Sequence, residues 1–279
     1  MNSQQSRFLS KAKFLAKELM PPFIWKALKK LNSPEEYGFF GNYSSWQAAL
    51  KDSDGYSSDV ILEKVKNSLL QVKEGKAIYE RDSVLFDTIQ YSFPVLATLL
   101  RVALENEAKL SVLDFGGSLG SSYFQCRDFL AGVKKLRWSI VEQPNFVKYG
   151  QKYFQDNQLK FYENIDACLE CEQPDVILLS SVIQYLEKPH EFIENIINKY
   201  NFSYVLIDRL ALIEDYDDRL AIQKVSPEIY NASYPSWFFG ESKFLKHFQE
   251  KYELIFEFQG TDKVNILSKF KGFIFKKKG

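Results

Sequence analysis

The sequence predicts an α/β fold: a Rossmann-like sheet of seven strands, built as five parallel βα units and a terminal antiparallel hairpin. Three observations carry this. Short apolar runs alternate with helical segments from residue 111 onward, a glycine-bearing turn directly follows the first run, and two late apolar runs have no helix-length segment between them. The first five strands fall at 111–115, 138–141, 160–162, 175–179 and 204–208, the pattern of a parallel sheet covered on both faces. The runs 252–258 and 270–276 lack a crossover helix and therefore pair antiparallel at the sheet's edge.

Upstream of this core, residues 7–31 read as helix broken at Pro21-Pro22, with Phe8, Ala12, Leu15 and Leu19 on one face. Seven basic residues stand there against one acid, Glu18. Two roles stay open for it, packing on the domain and lying on the anionic surface of an inner membrane. Residues 35–60 are rich in Gly, Ser, Asp and aromatics and read as loop, and helical patterns follow over 60–75 and 81–106. The expected organisation is a basic helical segment (1–34), a helical region that includes a candidate cofactor lid (35–108), and a core (109–279) with an insertion at 210–240.

Composition excludes several classes. Lys plus Arg and Asp plus Glu both number 36, so the chain has no global electrostatic footprint for nucleic acid. No run approaches the roughly 18 apolar residues of a membrane span. Lysines interrupt the N-terminal apolar positions too often for a signal peptide, so the expected location is the cytoplasm, with any membrane contact peripheral. The three cysteines form no disulfide framework. Cys168 and Cys171 are spaced as CxxC but have no second pair and no nearby His, so they are assigned no zinc and no function. No cluster of His and acids has metal-ligand spacing, and a metal-independent protein is expected.

The turn Asp114-Phe115-Gly116-Gly117-Ser118-Leu119-Gly120 carries the chemistry. Gly116, Gly117 and Gly120 lack a Cβ and let backbone approach a ligand, while a helix starting near Leu119 aims its free N–H groups at it. A dinucleotide-binding GxGxxG would put its first glycine at Phe115; here an acid, Asp114, closes the strand instead. An acid there is wrong for a pyrophosphate and right for the cationic methionine portion of S-adenosylmethionine. Glu142 ends the second strand, where a carboxylate can accept both ribose hydroxyls, with Gln143 beside it. Together these features favour S-adenosylmethionine, with S-adenosylhomocysteine as product, over a nicotinamide cofactor.

The string VLDFGGSLG resembles the first motif of class I S-adenosylmethionine-dependent methyltransferases, and ILLSSVIQYLEKP resembles their fourth. The wording GNYSSWQAA, YERDSVLFD, RWSIVEQ, LIDR, DRLAIQ and SYPSWFF, spread over 41–239, is similar to a family of putative methyltransferases from bacterial surface-polysaccharide (O-antigen or capsule) gene clusters. The resemblance implies methyl transfer to a saccharide or glycolipid acceptor. One departure stands out: Ser118 occupies the middle glycine position of the superfamily motif.

Ligands of open α/β sheets bind outside the carboxyl ends of the strands at the switch point. That rule nominates Ser180, Ser181, Gln184 and Tyr185 after the fourth strand, Ser180 towards the cofactor and Gln184 and Tyr185 towards the acceptor. It also nominates Asp208 and Arg209 after the fifth strand as the catalytic pair, with Asp208 as base and Arg209 available to an acidic sugar. The insertion carries Arg219, Gln223, Tyr230, Tyr234 and Trp237, and its aromatic content suits a sugar face. By analogy with related enzymes, Arg81 meets the methionine carboxylate. His190 and His247 are expected at the surface. Two other readings remain open: a binding module with this core but no catalysis, and a dehydrogenase, against which Asp114 argues.

Overall fold

The computed structural model describes residues 37–54, 58–81, 83–214, 217–227 and 229–279. Contacts divide the chain into two units, Met1–Gly38 and Phe39–Gly279. The basic segment 7–31 and Asp82 lie outside the described residues.

In chain order the elements are β1 (Gly38–Phe40), α1 (Trp46–Lys51), α2 (Ser58–Lys73), β2 (Tyr79–Arg81), β3 (Val84–Phe86), α3 (Phe93–Glu105), β4 (Lys109–Phe115) and α4 (Ser121–Cys126). There follow β5 (Lys135–Val141), α5 (Pro144–Tyr153), β6 (Leu159–Tyr162), α6 (Ile165–Cys171), β7 (Val176–Ser180), a 3₁₀ turn (Ile183–Tyr185) and α7 (Pro189–Lys199). The chain then runs through β8 (Tyr204–Ile213), β9 (Arg219–Lys224), β10 (Ser233–Gly240), α8 (Glu241–Lys246), β11 (Tyr252–Gln259) and β12 (Lys269–Lys277).

The central strands lie in the order β6-β5-β4-β7-β8-β12-β11. Those from β6 to β8 are parallel, and β12 runs antiparallel to both β8 and β11. Strand order reverses between β4 and β7, which makes their carboxyl ends the switch point. Alternation along β4 sends Val112 into one apolar layer with Trp138 and Leu99, and Leu113 into the other with Ile177 and Ile193. The parallel core is therefore buried on both faces, as its near-continuous apolar strands require.

Three expectations are corrected. The sheet has ten strands rather than seven, because the 210–240 insertion adds β9 and β10 and the segment before α1 adds β1. β7 stops at Ser180, opposite Asp208, while β8 continues to Ile213. Since β12 already flanks β8 as far as Leu212, β10 takes the opposite edge, pairing Phe239 with Leu212 and Gly240 with Ile213. β10 thus stands beyond the carboxyl end of β7, with β9 antiparallel beside it and β1 outside β9. Second, 81–106 is not one helix: β2 and β3 form a short hairpin turned through Ser83 at φ 70°, and helix begins only at Phe93. Pro94 sets that start, since its ring pre-forms a helical φ and lacks an N–H that the first turn could not use. Third, the stretch 35–60 contains α1, capped by Ser45, whose Oγ accepts from the Ala48 N–H at 3.2 Å.

Candidate active site

One cleft of about 1430 Å³ opens at the switch point and draws its walls from the tips of β4, β5, β7 and β8, the β2–β3 hairpin, the β9–β10 strands and the β11–β12 loop. Its first half is built around Asp114. The carboxyl is 1 % exposed, and Oδ2 accepts the Trp138 indole N–H at 3.0 Å. Gly117 lies directly on it, so that a Cβ there would come within 2.6 Å of Oδ2. Burial pushes the Asp114 carboxyl up to about 7 and the charge of Glu142 adds to the rise, while the indole hydrogen bond opposes it. Glu142, at the tip of neighbouring β5, accepts the Ser118 N–H at 3.3 Å and its own neighbour Gln143's N–H at 2.8 Å. Burial raises the Glu142 carboxyl as well, against the pull of those two amides.

The loop between them takes left-handed φ three times, at Gly116 (70°), Ser118 (56°) and Gly120 (112°). Alternating this conformation with ordinary φ curls the backbone and turns its N–H groups inward, a form suited to binding negative or partially negative groups. Ser118 therefore keeps the turn that the motif's missing glycine would make, at the strain cost a serine carries there. A Cβ on Gly116 would overlap Val182, so this glycine serves the packing of the loop on the 3₁₀ turn more than a ligand's approach.

The β2–β3 hairpin is anchored to the start of α4 through Glu80. This buried carboxylate accepts Ser121 Oγ at 2.6 Å and the Ser83 N–H at 2.6 Å. The same hairpin brings Arg81 to the cleft wall, its guanidinium 5.6 Å from the centre of the Phe86 ring.

The second half centres on Asp208 and Arg209, which occupy a β-bulge. Ile207 pairs with Phe273 and Leu210 with Lys271, so two residues of β8 oppose the single Gly272 of β12, and Arg209 sits at φ 56°. A bulge re-aims side chains and releases backbone groups from the ladder. Here the Asp208 carbonyl accepts the Ser181 N–H at 2.8 Å and the Arg209 carbonyl accepts Gln184 Nε2 at 3.3 Å. Ser180 Oγ reaches the Asp208 carboxylate at 3.5 Å. Burial raises the Asp208 carboxyl, Arg209 pulls it down, and Asp262 from the β11–β12 loop pushes it up again.

Of the residues singled out in sequence, Arg81, Asp114, Gly116, Gly117, Ser118, Glu142, Gln143, Ser180, Tyr185, Asp208, Arg209, Gln223, Tyr230 and Tyr234 all line this cleft. Tyr185 donates to Gln223 Oε1 at 2.8 Å and meets Tyr234 edge to face at 5.5 Å, and the Tyr230 and Tyr234 hydroxyls are 3.2 Å apart. Four lie off the lining. Arg219 donates through Nε and Nη2 to the Gly41 carbonyl at 3.1 and 2.8 Å. Gly120 caps α4 behind the loop. Gln184 is 1 % exposed and braces Ser181 and Arg209 from beneath, with Nε2 also on Ser181 Oγ at 3.0 Å. Trp237 stacks on Trp46 and donates to the Leu186 carbonyl at 3.1 Å, because its side of β10 faces α1. Sequence reasoning missed Asp262, Glu80 and Gly272. It also placed the histidines at the surface, whereas both are half-buried: His190 lies 2.8 Å from His247 and 2.7 Å from Asp218.

Among the described residues no group of three or more His, Cys, Asp or Glu could hold a metal ion, and no helix is long and apolar enough to cross a membrane. No family model and no curated protein matches the chain. Solved structures with a similar course include the N-terminal domain of EvdMO1 in the presence of SAH and D-fucose (7% identity, TM-score 0.47, covering 77% of this chain and 97% of that one). A S-adenosylmethionine-dependent methyltransferase from Clostridium acetobutylicum is 11% identical, with TM-score 0.42 over 66% of this chain and 91% of its own. The glycopeptide N-methyltransferase MtfA complexed with sinefungin is 8% identical, with TM-score 0.45 over 66% and 87%. These likenesses are too distant to assign a family, so a functional reading rests on the cleft itself.

Proposed function

We propose that this chain is an S-adenosylmethionine-dependent methyltransferase that O-methylates a saccharide. The observation that carries the reading is the pair of carboxyls, buried Asp114 and half-buried Glu142, at adjacent strand tips around a loop with three left-handed residues. A buried acid whose ionisation is opposed by burial and by a second acid suits a cation, and it disfavours the pyrophosphate of a dinucleotide. Asp114 and the loop amides would hold the amino-acid portion, Arg81 its carboxylate, and Glu142 the ribose hydroxyls. When bound, the cofactor supplies a methyl carbon made electrophilic by a sulfonium and leaves as S-adenosylhomocysteine.

The protein's own contribution is alignment and proton removal. Asp208, raised by burial and aimed by the bulge, is a stronger base than an exposed carboxylate and takes the proton that the acceptor hydroxyl gives up. Tyr185, Tyr230 and Tyr234 offer ring faces and hydroxyls to a sugar. Work on surface glycans in the cytoplasm, with residues 7–31 at the inner membrane, belongs to this reading and draws support from the sequence motifs. Isothermal titration of S-adenosylmethionine into Asp114→Ala and Glu142→Ala tests it. Loss of a buried charge contact costs about 2–5 kcal/mol, or at least thirtyfold in Kd. Unchanged affinity in both variants overturns the assignment.

A further inference from the structure

The cleft is larger than its cofactor half, and the character of the rest is set by four separate elements. The tips of β7 and β8 supply Ser180, Asp208 and Arg209, the β9–β10 strands supply the tyrosine wall, and the β11–β12 loop closes over them with Asp262 and Lys263. Asp262 is only part-exposed, and its Oδ2 is buried with no hydrogen-bond partner. A buried acceptor atom left without a donor costs free energy, so it marks a place where a ligand's donor belongs. A carboxylate accepts and does not give, so the complementary group is an O–H or N–H.

Charge points the same way. Glu80, Asp114, Glu142, Glu163, Asp208 and Asp262 line the described cleft against Arg81, Arg209 and Lys263. Around the acceptor half the lining holds Asp208 and Asp262 with Arg209 and Lys263, and Arg209 lies beside Asp208, so the unpartnered Asp262 oxygen rather than a surplus of acids is what turns an anionic group away. This argues against an acidic sugar recruited by Arg209. Arg209 stands next to Asp208 in the chain and offsets the burial of that carboxylate.

We propose that the acceptor is a hydroxylated sugar without acid groups, neutral or amino-bearing, and that Asp262 is the specificity-determining residue that takes its hydroxyl or amino donors while the tyrosines hold its ring face. The proposal rests on the methyltransferase reading above. It places the chain after reactions that remove phosphate or nucleotide from the sugar, since an acceptor still carrying them is an anion.

The test is saturation-transfer NMR on the full chain, first saturated with S-adenosylhomocysteine, against glucose, glucosamine, glucuronic acid and glucose 1-phosphate. Glucose or glucosamine should give signal at millimolar concentration, and the two anions at least fivefold less. Asp262→Asn, which keeps shape and removes charge, should lower the glucose or glucosamine signal at least threefold and narrow the gap to glucuronic acid. S-adenosylhomocysteine affinity of that variant, measured alongside, reports that the fold is intact. Equal or stronger binding of either anion by the wild type, no binding of any of the four sugars, or a variant with the wild-type profile overturns the proposal. Failure of S-adenosylhomocysteine itself to bind overturns the cofactor reading instead, and shows as such before any sugar is added.

Discussion

Asp114 is shut in by Gly117 above and Trp138 beside it, and among the described residues its one hydrogen-bond donor is the Trp138 indole. Its carboxyl titrates near 7 because the protein raises it, and the sign of the consequence follows. Stability associated with the protonated group is fully present below its unfolded value near 4 and is lost as pH rises through about 7. A cationic ligand acts oppositely, favouring the ionised form and driving a proton off whenever it binds below that pH. Affinity for S-adenosylmethionine should therefore climb between pH 5 and 7, by up to about tenfold per pH unit, and level above it. Calorimetry in buffers of differing ionisation heat reads the released proton directly. Asp114→Asn should flatten the profile; a wild-type slope in that variant would assign the proton elsewhere. The acid itself was legible in the sequence, since strand, acid and glycines stand side by side. Its partner Trp138 was not, because 24 residues separate the two and only the parallel register of β4 and β5 joins them.

At the scale of elements, the unexpected feature is how much of the site is made by irregular strands. Sequence reading placed the strand at 204–208 and stopped at the acid, but β8 runs through it to Ile213 by way of the bulge. The apolar run 210–213 carried that signal. The insertion's strands were harder to read: β10 contains Pro235, paired with Ile222 of β9, and a proline argues against a strand unless it lies near an edge. The bulge depends on Gly272, which opposes Asp208-Arg209 and also faces Phe258 across the β11–β12 pair. A Cβ at 272 would overlap the Phe258 ring, so even Gly272→Ala must displace that ring or the strand. Overpacking of this kind costs about 1–3 kcal/mol. Urea unfolding should show that loss for Gly272→Ala. The double variant Gly272→Ala, Phe258→Ala should recover part of it, whereas strictly additive losses would show that the ring and the glycine do not interact.

At the scale of the whole molecule, the strands added by the insertion must be held to the layered core, and the Asp218 cluster is one place where this is done. Asp218 lies on the connection from β8 to β9. Its Oδ1 accepts the Gly240 N–H at 3.0 Å, and its Oδ2 meets Lys243 Nζ at 2.8 Å and His190 Nε2 at 2.7 Å. His190 opens α7 against the core and continues the chain of contacts to His247 beyond α8. Burial works to raise the Asp218 carboxyl, but the hydrogen bonds from His190, Lys243 and Gly240 outweigh it and hold the group at about 2. Burial also lowers His247, helped by the neighbouring His190 charge. For a depressed carboxyl, stability is present above the unfolded value near 4 and is lost as pH falls through the folded value, here the window from about 4 down to 2. A shift of that size corresponds to on the order of 2 kcal/mol. Asp218→Asn keeps the shape and removes the charge, so urea midpoints compared at pH 6 and pH 2.5 isolate the contribution. The wild type should be the more stable of the two at pH 6, with the difference shrinking towards zero at pH 2.5. A gap that stays constant across that range would mean that shape and hydrogen bonding, rather than charge, fasten the added strands to the core.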